Sequence, residues 1–469
     1  METMTDLKCD GRDRNSAGSV LIAALGIILV LDLFLAAALV MSMRQLNAVK
    51  QEKTGSQAFN VAEAGMNNAI WKVGNITDYV PSAETPDVGQ TQTGEFEISM
   101  STLAVDQRQI TVTSYVPNKT DPKVKKRRIV ATIEVAPKVL SYGMYAFSWI
   151  DIRGATARTY LAPLDYTQPG AKGGDMGSNY DIYFNDAGIR LNERGTQQGE
   201  QSTYDALFGN PSVALGDLVT AGPDAEVHAV NTVATTMAEL QSKCSHVFMA
   251  RITHLNNTIE FPTLNFEGPG GFKSMAEANT SNGGKYGLPA GRNSVFTKAE
   301  FAAIISSNNN VTLTGVIYVD GEVSLANNRN LTINNGGLVI KDNASNPAAA
   351  LTLANRASLR ILHGSTDSKK YPGLIVYTTA GNTASVVDRG TMEIDGLVFS
   401  EKTYSEQQSS VRIKGVLLAS GTSAAASIVN DNSSIIIQYD PTVTDMWGLQ
   451  SYGDLFVKRV IQWRETNPP

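Results

Sequence analysis

Hydrophobic positions fall into three successive patterns along this chain. The first is an apolar run from Val20 to Met41, broken only by Asp32. Its 22 residues, at about 1.5 Å each, make about 33 Å of helix, enough for the roughly 30 Å hydrocarbon core of a bilayer. A secretory signal has a shorter apolar core that ends in a small-residue cleavage site, so a retained anchor is the better reading. Asp32 near the middle of the run is costly in lipid unless it meets a partner, which marks it as a candidate intramembrane polar contact.

After Met41 the pattern becomes one-faced. Phe59, Ala62, Met66, Ala69, Ile70 and Val73 recur at three- and four-residue steps, the signature of an amphipathic helix. No proline precedes Pro81, and Gly74-Asn75 supplies a stop, so one helix of about 85 Å is predicted from about Ala17 to Val73. Phe59, Ala62, Met66 and Ile70 are its candidate packing residues.

The third pattern is strict alternation. Phe96–Met100, Gln109–Thr113 and Arg128–Val135 read as strands, the last two joined as a hairpin by Pro117–Pro122. A small antiparallel sheet on the apolar face of the helix is the economical assembly. The basic run Lys123–Arg128 reads as a solvated strand end, with anionic headgroups or polymers as the other option.

Farther on, a glycine-plus-apolar strand recurs at Gly315–Tyr318, Gly337–Ile340, Gly373–Val376, Gly396–Phe399 and Gly415–Leu418. Between the copies stand shorter strands such as Leu331–Ile333, Leu359–Ile361, Met392–Ile394, Val411–Ile413 and Ile435–Ile437. Earlier copies occur at Ile150–Ile152, Ile182–Phe184 and Ile189–Leu191. Short strands, turn glycines and this recurrence predict stacked parallel coils, a right-handed β-helix, with a β-sandwich as the competing fold. Residues 200–310 interrupt the series with helix-like pieces at Val233–Leu240 and Thr297–Ile305 and the loop Gly268–Gly271. The fold class is thus mainly β with a long N-terminal α-helix.

Hydrophobic residues at 42% and charged residues at 18% fit a folded exterior rather than a disordered tail. A net charge of −6 argues against a general nucleic-acid binder.

Gly18-Ser19 ahead of the apolar helix, followed by Gln57-Ala58-Phe59-Asn60-Val61-Ala62-Glu63-Ala64-Gly65-Met66-Asn67, resembles the amino terminus of type IV pilin-like proteins, particularly the PilX-type minor pilin assembly proteins. The resemblance covers about the first 75 residues. Phe261–Asn265, Gly315–Gly321 and Trp463–Glu465 resemble, less specifically, the long extracellular regions of large PilX-type proteins.

The resemblance implies cleavage between Gly18 and Ser19 by a prepilin peptidase, anchoring in the bacterial cytoplasmic membrane by a single span, and a C-terminal domain that is periplasmic or extracellular on a pilus. It also implies other pilins, pilus assembly proteins and membrane lipid as partners, with a surface polysaccharide or a host or abiotic surface as a further contact. Flanking charges do not orient the span, since Lys8, Arg12 and Arg14 precede it and Arg44, Lys50 and Lys53 follow it. Ala23 stands where major pilins usually carry a glutamate, as in some tip-located minor pilins, and this raises the interest of Asp32. Cys9 would leave with the leader, so Cys244 would remain alone and no internal disulfide would form.

The expected organisation is a leader at 1–18, a transmembrane and pilin-like helix at 19–75, an antiparallel module at 85–138, a β-helical domain at 145–445 and a C-terminal cap at 446–469. Assembly and adhesion form the leading functional expectation. A type II secretion pseudopilin and a surface-tethered protein that binds or cleaves polysaccharide are the alternatives. No catalytic residue, metal or cofactor is assigned. Glu393, Asp395 and Arg412, or Asp388 and Arg389, are the groups a polysaccharide-cleaving site would draw on. Cys244, His246 and His254 match no standard metal spacing, and Asp181, Asn185 and Asp186 lack the regular spacing of a calcium loop.

Overall fold

The computed structural model describes residues 14–75, 79–104, 107–163, 174–193, 215–342, 349–364, 372–378, 383–421, 427–440, 442–443, 449–451 and 455–466. The chain is mainly β, with one long N-terminal helix and a small antiparallel sheet. Helix α1, Arg14–Asn75, is 62 residues long, or about 93 Å. It is unbroken from the apolar run into the amphipathic stretch, as the absence of proline and the apolar periodicity predict. Its backbone includes Gly18 and Ser19.

The antiparallel module begins with β1 (Asp87–Gln90), β2 (Glu95–Ala104), β3 (Gln107–Val116) and β4 (Lys125–Pro137). Alternation sends Phe96, Ile98, Ile110, Val112, Ile129, Ala131 and Ile133 to one face, where they bury against α1. The sheet has a fifth strand that the sequence reading placed elsewhere. Leu455–Thr466, expected within a cap on the last coil, instead lies antiparallel to β4, with Leu455 opposite Pro137 and Thr466 opposite Arg128. The β-rich region from Lys138 to Ser451 is therefore inserted between two neighbouring strands of one sheet.

Within that region the strands pair almost entirely in parallel, in one 14-stranded and one 9-stranded sheet among the described residues. The long strands change character at a glycine. In Ser410–Ala419, Val411 and Ile413 alternate with exposed residues, Gly415 turns the chain at φ +154°, and Val416–Ala419 is buried on both faces. Gly396 does the same on the neighbouring strand, at φ +116°. A Cβ on Gly415 would lie 1.9 Å from the carbonyl oxygen of Gly396, so the stacked corner admits glycine alone. The glycine-plus-apolar recurrence marks this corner and the doubly buried run behind it.

Strand order in space differs from strand order in sequence. The chain joins the stack in its middle at Met144–Ala146 and advances outward through Met176–Ser178 and Leu218–Ala221 to Ile252–Leu255. It then crosses to the opposite end, resumes at Val295–Thr297 and winds back until Ser410–Ala419 pairs with Met144–Ala146. Strands resume at Leu218 and continue to 255, so within the described residues the expected interruption at 200–310, whose 200–214 lie outside them, narrows to the crossing segment 256–294 and the helical pieces. Helices Met237–Lys243 and Lys298–Ser307 sit close to where periodicity placed them, both with capping boxes. A third helix, Phe272–Ala278, follows the Gly268–Gly271 loop and was not foreseen.

The crossing segment covers the outer face of the larger sheet. Tyr145, Val339, Ile375, Phe399 and Leu418 meet Ile259, Leu264, Phe272 and Ala276 in a second core on that face. Asn179 stitches its start, donating Nδ2 to the Ile259 carbonyl at 2.9 Å and accepting the Ile259 N–H at 2.6 Å. At its far end Asn279 and Asn282 both donate to the Thr314 carbonyl beside the Gly315 corner.

Candidate functional site

The assembly features foreseen in the sequence converge on α1. Its first half, from Leu21 to Val49, is exposed along its whole length in the isolated chain, and this stretch is apolar and long enough to cross a membrane. Asp32 lies on this exposed half. Gly18 and Ser19 lie in its first turns, where only the backbone is described.

The second half of the helix is seated on the sheet. Ala62 and Met66 are buried in the seat, whereas Phe59 and Ile70 are only partly buried at its flanks. The centre is a row of small residues, Ala58, Ala62, Gly65 and Ala69, spaced three or four apart. A Cβ on Gly65 would lie 2.8 Å from Val112 and 2.9 Å from the Phe96 ring. Small side chains here let the helix backbone approach the sheet, and Ser114 of β3 uses that closeness to donate to the Ala58 carbonyl at 2.6 Å.

Polar and aromatic contacts fix the rim. Lys72 and Tyr79 both donate to Asp87 Oδ2, each at 2.6 Å. Burial works to raise the Asp87 carboxyl, but the Lys72 and Tyr79 hydrogen bonds outweigh it and hold the group below the usual range. On the opposite flank Phe59 meets Trp463 of the C-terminal strand, ring centroids 6.2 Å apart. Arg127 pairs with Glu465 at 2.8 Å on the same strand, so part of the basic run Lys123–Arg128 serves the sheet edge. The small-residue spacing was the signal that could have located the centre of the seat.

The remaining sequence candidates are dispersed. Cys244 is buried and directed at the Asp186 carbonyl, His246 Nδ1 bonds Glu193 at 2.8 Å, and His254 Nδ1 bonds Thr220 at 3.2 Å. Asp181 accepts from Tyr183, while Asn185 donates to Asp151. Glu393 is held by Arg360 at 2.8 Å and faces Arg412 on the next coil. Asp395 accepts the His363 N–H at 3.0 Å, and Asp388 lies 3.7 Å from Arg389. Arg360, Glu393 and Arg412 form a charge ladder across neighbouring strands, Asp388 and Arg389 are chain neighbours, and the other groups make separate local contacts.

Comparison with known protein families, curated proteins and solved structures gave no match to this chain.

Proposed function

We propose that this chain is a PilX-type, type IV pilin-like minor subunit, cut after Gly18 and held in the bacterial cytoplasmic membrane by the first half of α1. The observation that carries the reading is the division of one continuous helix into an exposed apolar half and a half seated on a small antiparallel sheet. Anchoring and lateral packing need those two surfaces on one rod. Asp32 supplies a polar group inside the membrane for a neighbouring pilin or assembly protein. The inserted domain is read as a right-handed β-helix; the parallel registers support this over an antiparallel sandwich, and right-handedness is the rule for parallel crossovers. Presented in the periplasm or outside the cell, it would take part in pilus assembly and surface adhesion.

Amino-terminal sequencing of membrane and sheared-filament fractions, with and without prepilin peptidase, tests the proposal. Ser19 at the amino terminus only where the peptidase is present supports it; Met1 retained in both strains overturns it. Asp32→Leu is expected to reduce recovery in the filament fraction, and unchanged recovery removes Asp32 from the assembly contacts.

A further inference from the structure

A cleft of about 480 Å³ opens where the crossing segment leaves a gap over the larger parallel sheet. Phe147, Phe261, Phe266 and Tyr377 line it, and Glu401 and Ser420 supply polar groups. Phe147 is 37% exposed. It meets Phe261 edge-on at 5.8 Å, and Phe266 tilts against Tyr377 at 4.9 Å, so two aromatic pairs contribute to the wall. Lys341, also in the lining, is paired with Glu267 at 2.7 Å.

We propose that this cleft is a binding site for a short neutral oligosaccharide. A pyranose ring has an apolar C–H face that stacks on aromatic rings and a rim of hydroxyls that bond carboxylates and hydroxyls, which matches aromatic walls beside Glu401, Ser420 and Thr263. A purely apolar ligand would take water from Glu401 and leave it only its Ser420 contact in exchange. Burial pushes the Glu401 carboxyl up despite Ser420 and Lys402, so the group gains from a hydroxyl that replaces lost water. An acidic polymer would meet Glu401 with like charge, while Lys341 of the lining is already paired with Glu267. An extended peptide would seek a free strand edge, whereas Thr263 and Leu264 at the cleft are already paired with Ser451 and Leu449.

The inference deepens the adhesion part of the proposed function, because it supplies a ligand class for the domain presented outward. The test uses the full chain in a sugar-free detergent and measures saturable binding of cellohexaose, chitohexaose, maltohexaose and xylohexaose by saturation-transfer NMR. At least one is expected to bind, with Phe147→Ala and Glu401→Gln each weakening it by about tenfold at an unchanged unfolding midpoint. Absence of saturable binding by all of them, or binding that both variants leave intact, overturns the site. Because binding is read on solubilised protein, a negative result leaves processing at Gly18 untouched, and failure of processing leaves the cleft untouched.

Discussion

Ile428 stands beside Ile150 in one parallel ladder, although the chain passes through the whole inserted domain between them. Both are fully buried. This contact and its neighbours, Leu417 with Met144 and Ile435 with Thr159, join two half-stacks built from separate sequence segments into one core.

The join predicts shared stability. Ile150→Ala and Ile428→Ala are each expected to cost roughly 2–5 kcal/mol in chemical unfolding of the solubilised chain, and as neighbours they should couple rather than add. Both halves should melt together. A separate early transition of 144–255 would show that the halves are independent.

Gly65 sets the distance between helix and sheet. Gly65→Val must displace Val112 or Phe96, and a loss of about 1–3 kcal/mol is expected, read as a lower thermal midpoint. Asn67→Ala, on the exposed side of the same turn, should leave the midpoint nearly unchanged.

Glu406 gives the inserted domain a pH dependence. Its carboxyl is fully buried and bonded by Tyr404 and by Ser409 Oγ at 2.9 Å, and burial pushes its pKa up to about 8 from 4.5. The folded state therefore holds a proton that the unfolded chain releases. Stability from this group is complete below about pH 4.5 and declines as pH rises to about 8, by a few kcal/mol at most. Denaturant midpoints should fall across that window in the parent chain, and Glu406→Gln should flatten the fall. A parent midpoint that rises with pH across the same window would contradict a buried neutral glutamic acid.

The C-terminal strand completes the helix seat. A chain ending before Leu455 leaves the β4 edge open, and trypsin should then cut at Lys125–Arg128 much faster while the parallel stack stays resistant. The Arg127–Glu465 pair is exposed on both sides, so Glu465→Gln alone should change stability by less than about 1 kcal/mol.

Much of this architecture is legible in the sequence because periodicity reports burial directly. Alternation at Arg128–Val135 and the three-and-four spacing from Phe59 to Val73 gave the sheet and its helix. Gly396 and Gly415 read as the starts of separate strands, where each instead lies inside one continuous strand. What periodicity does not report is which strand is the spatial neighbour of which. Leu455–Thr466 looks like any terminal strand, and nothing local to it names β4 as its partner. The middle insertion point is equally silent, since Met144 and Leu417 meet only because 256–294 crosses the stack. Large apolar residues drew the eye to Phe59 and Ile70, while close packing placed the smallest side chains at the centre of the seat. Asn179 carried no pattern at all; its role follows from a backbone amide and carbonyl at Ile259 that a crossing strap must satisfy.

Pro137 and Leu455 are register partners, so the chain leaves the small sheet and returns to it at a single place. Val139 and Leu140 are then buried in the outer-face core, and Tyr439 donates to the Leu140 carbonyl at 3.2 Å. The inserted domain thus joins the small sheet through two strands side by side, and the lead that follows Pro137 is locked into its wall. A lone tether would swivel and let torque dissipate. Paired leads resist swivelling, so a force or twist applied to the inserted domain passes through a strand ladder to the helix.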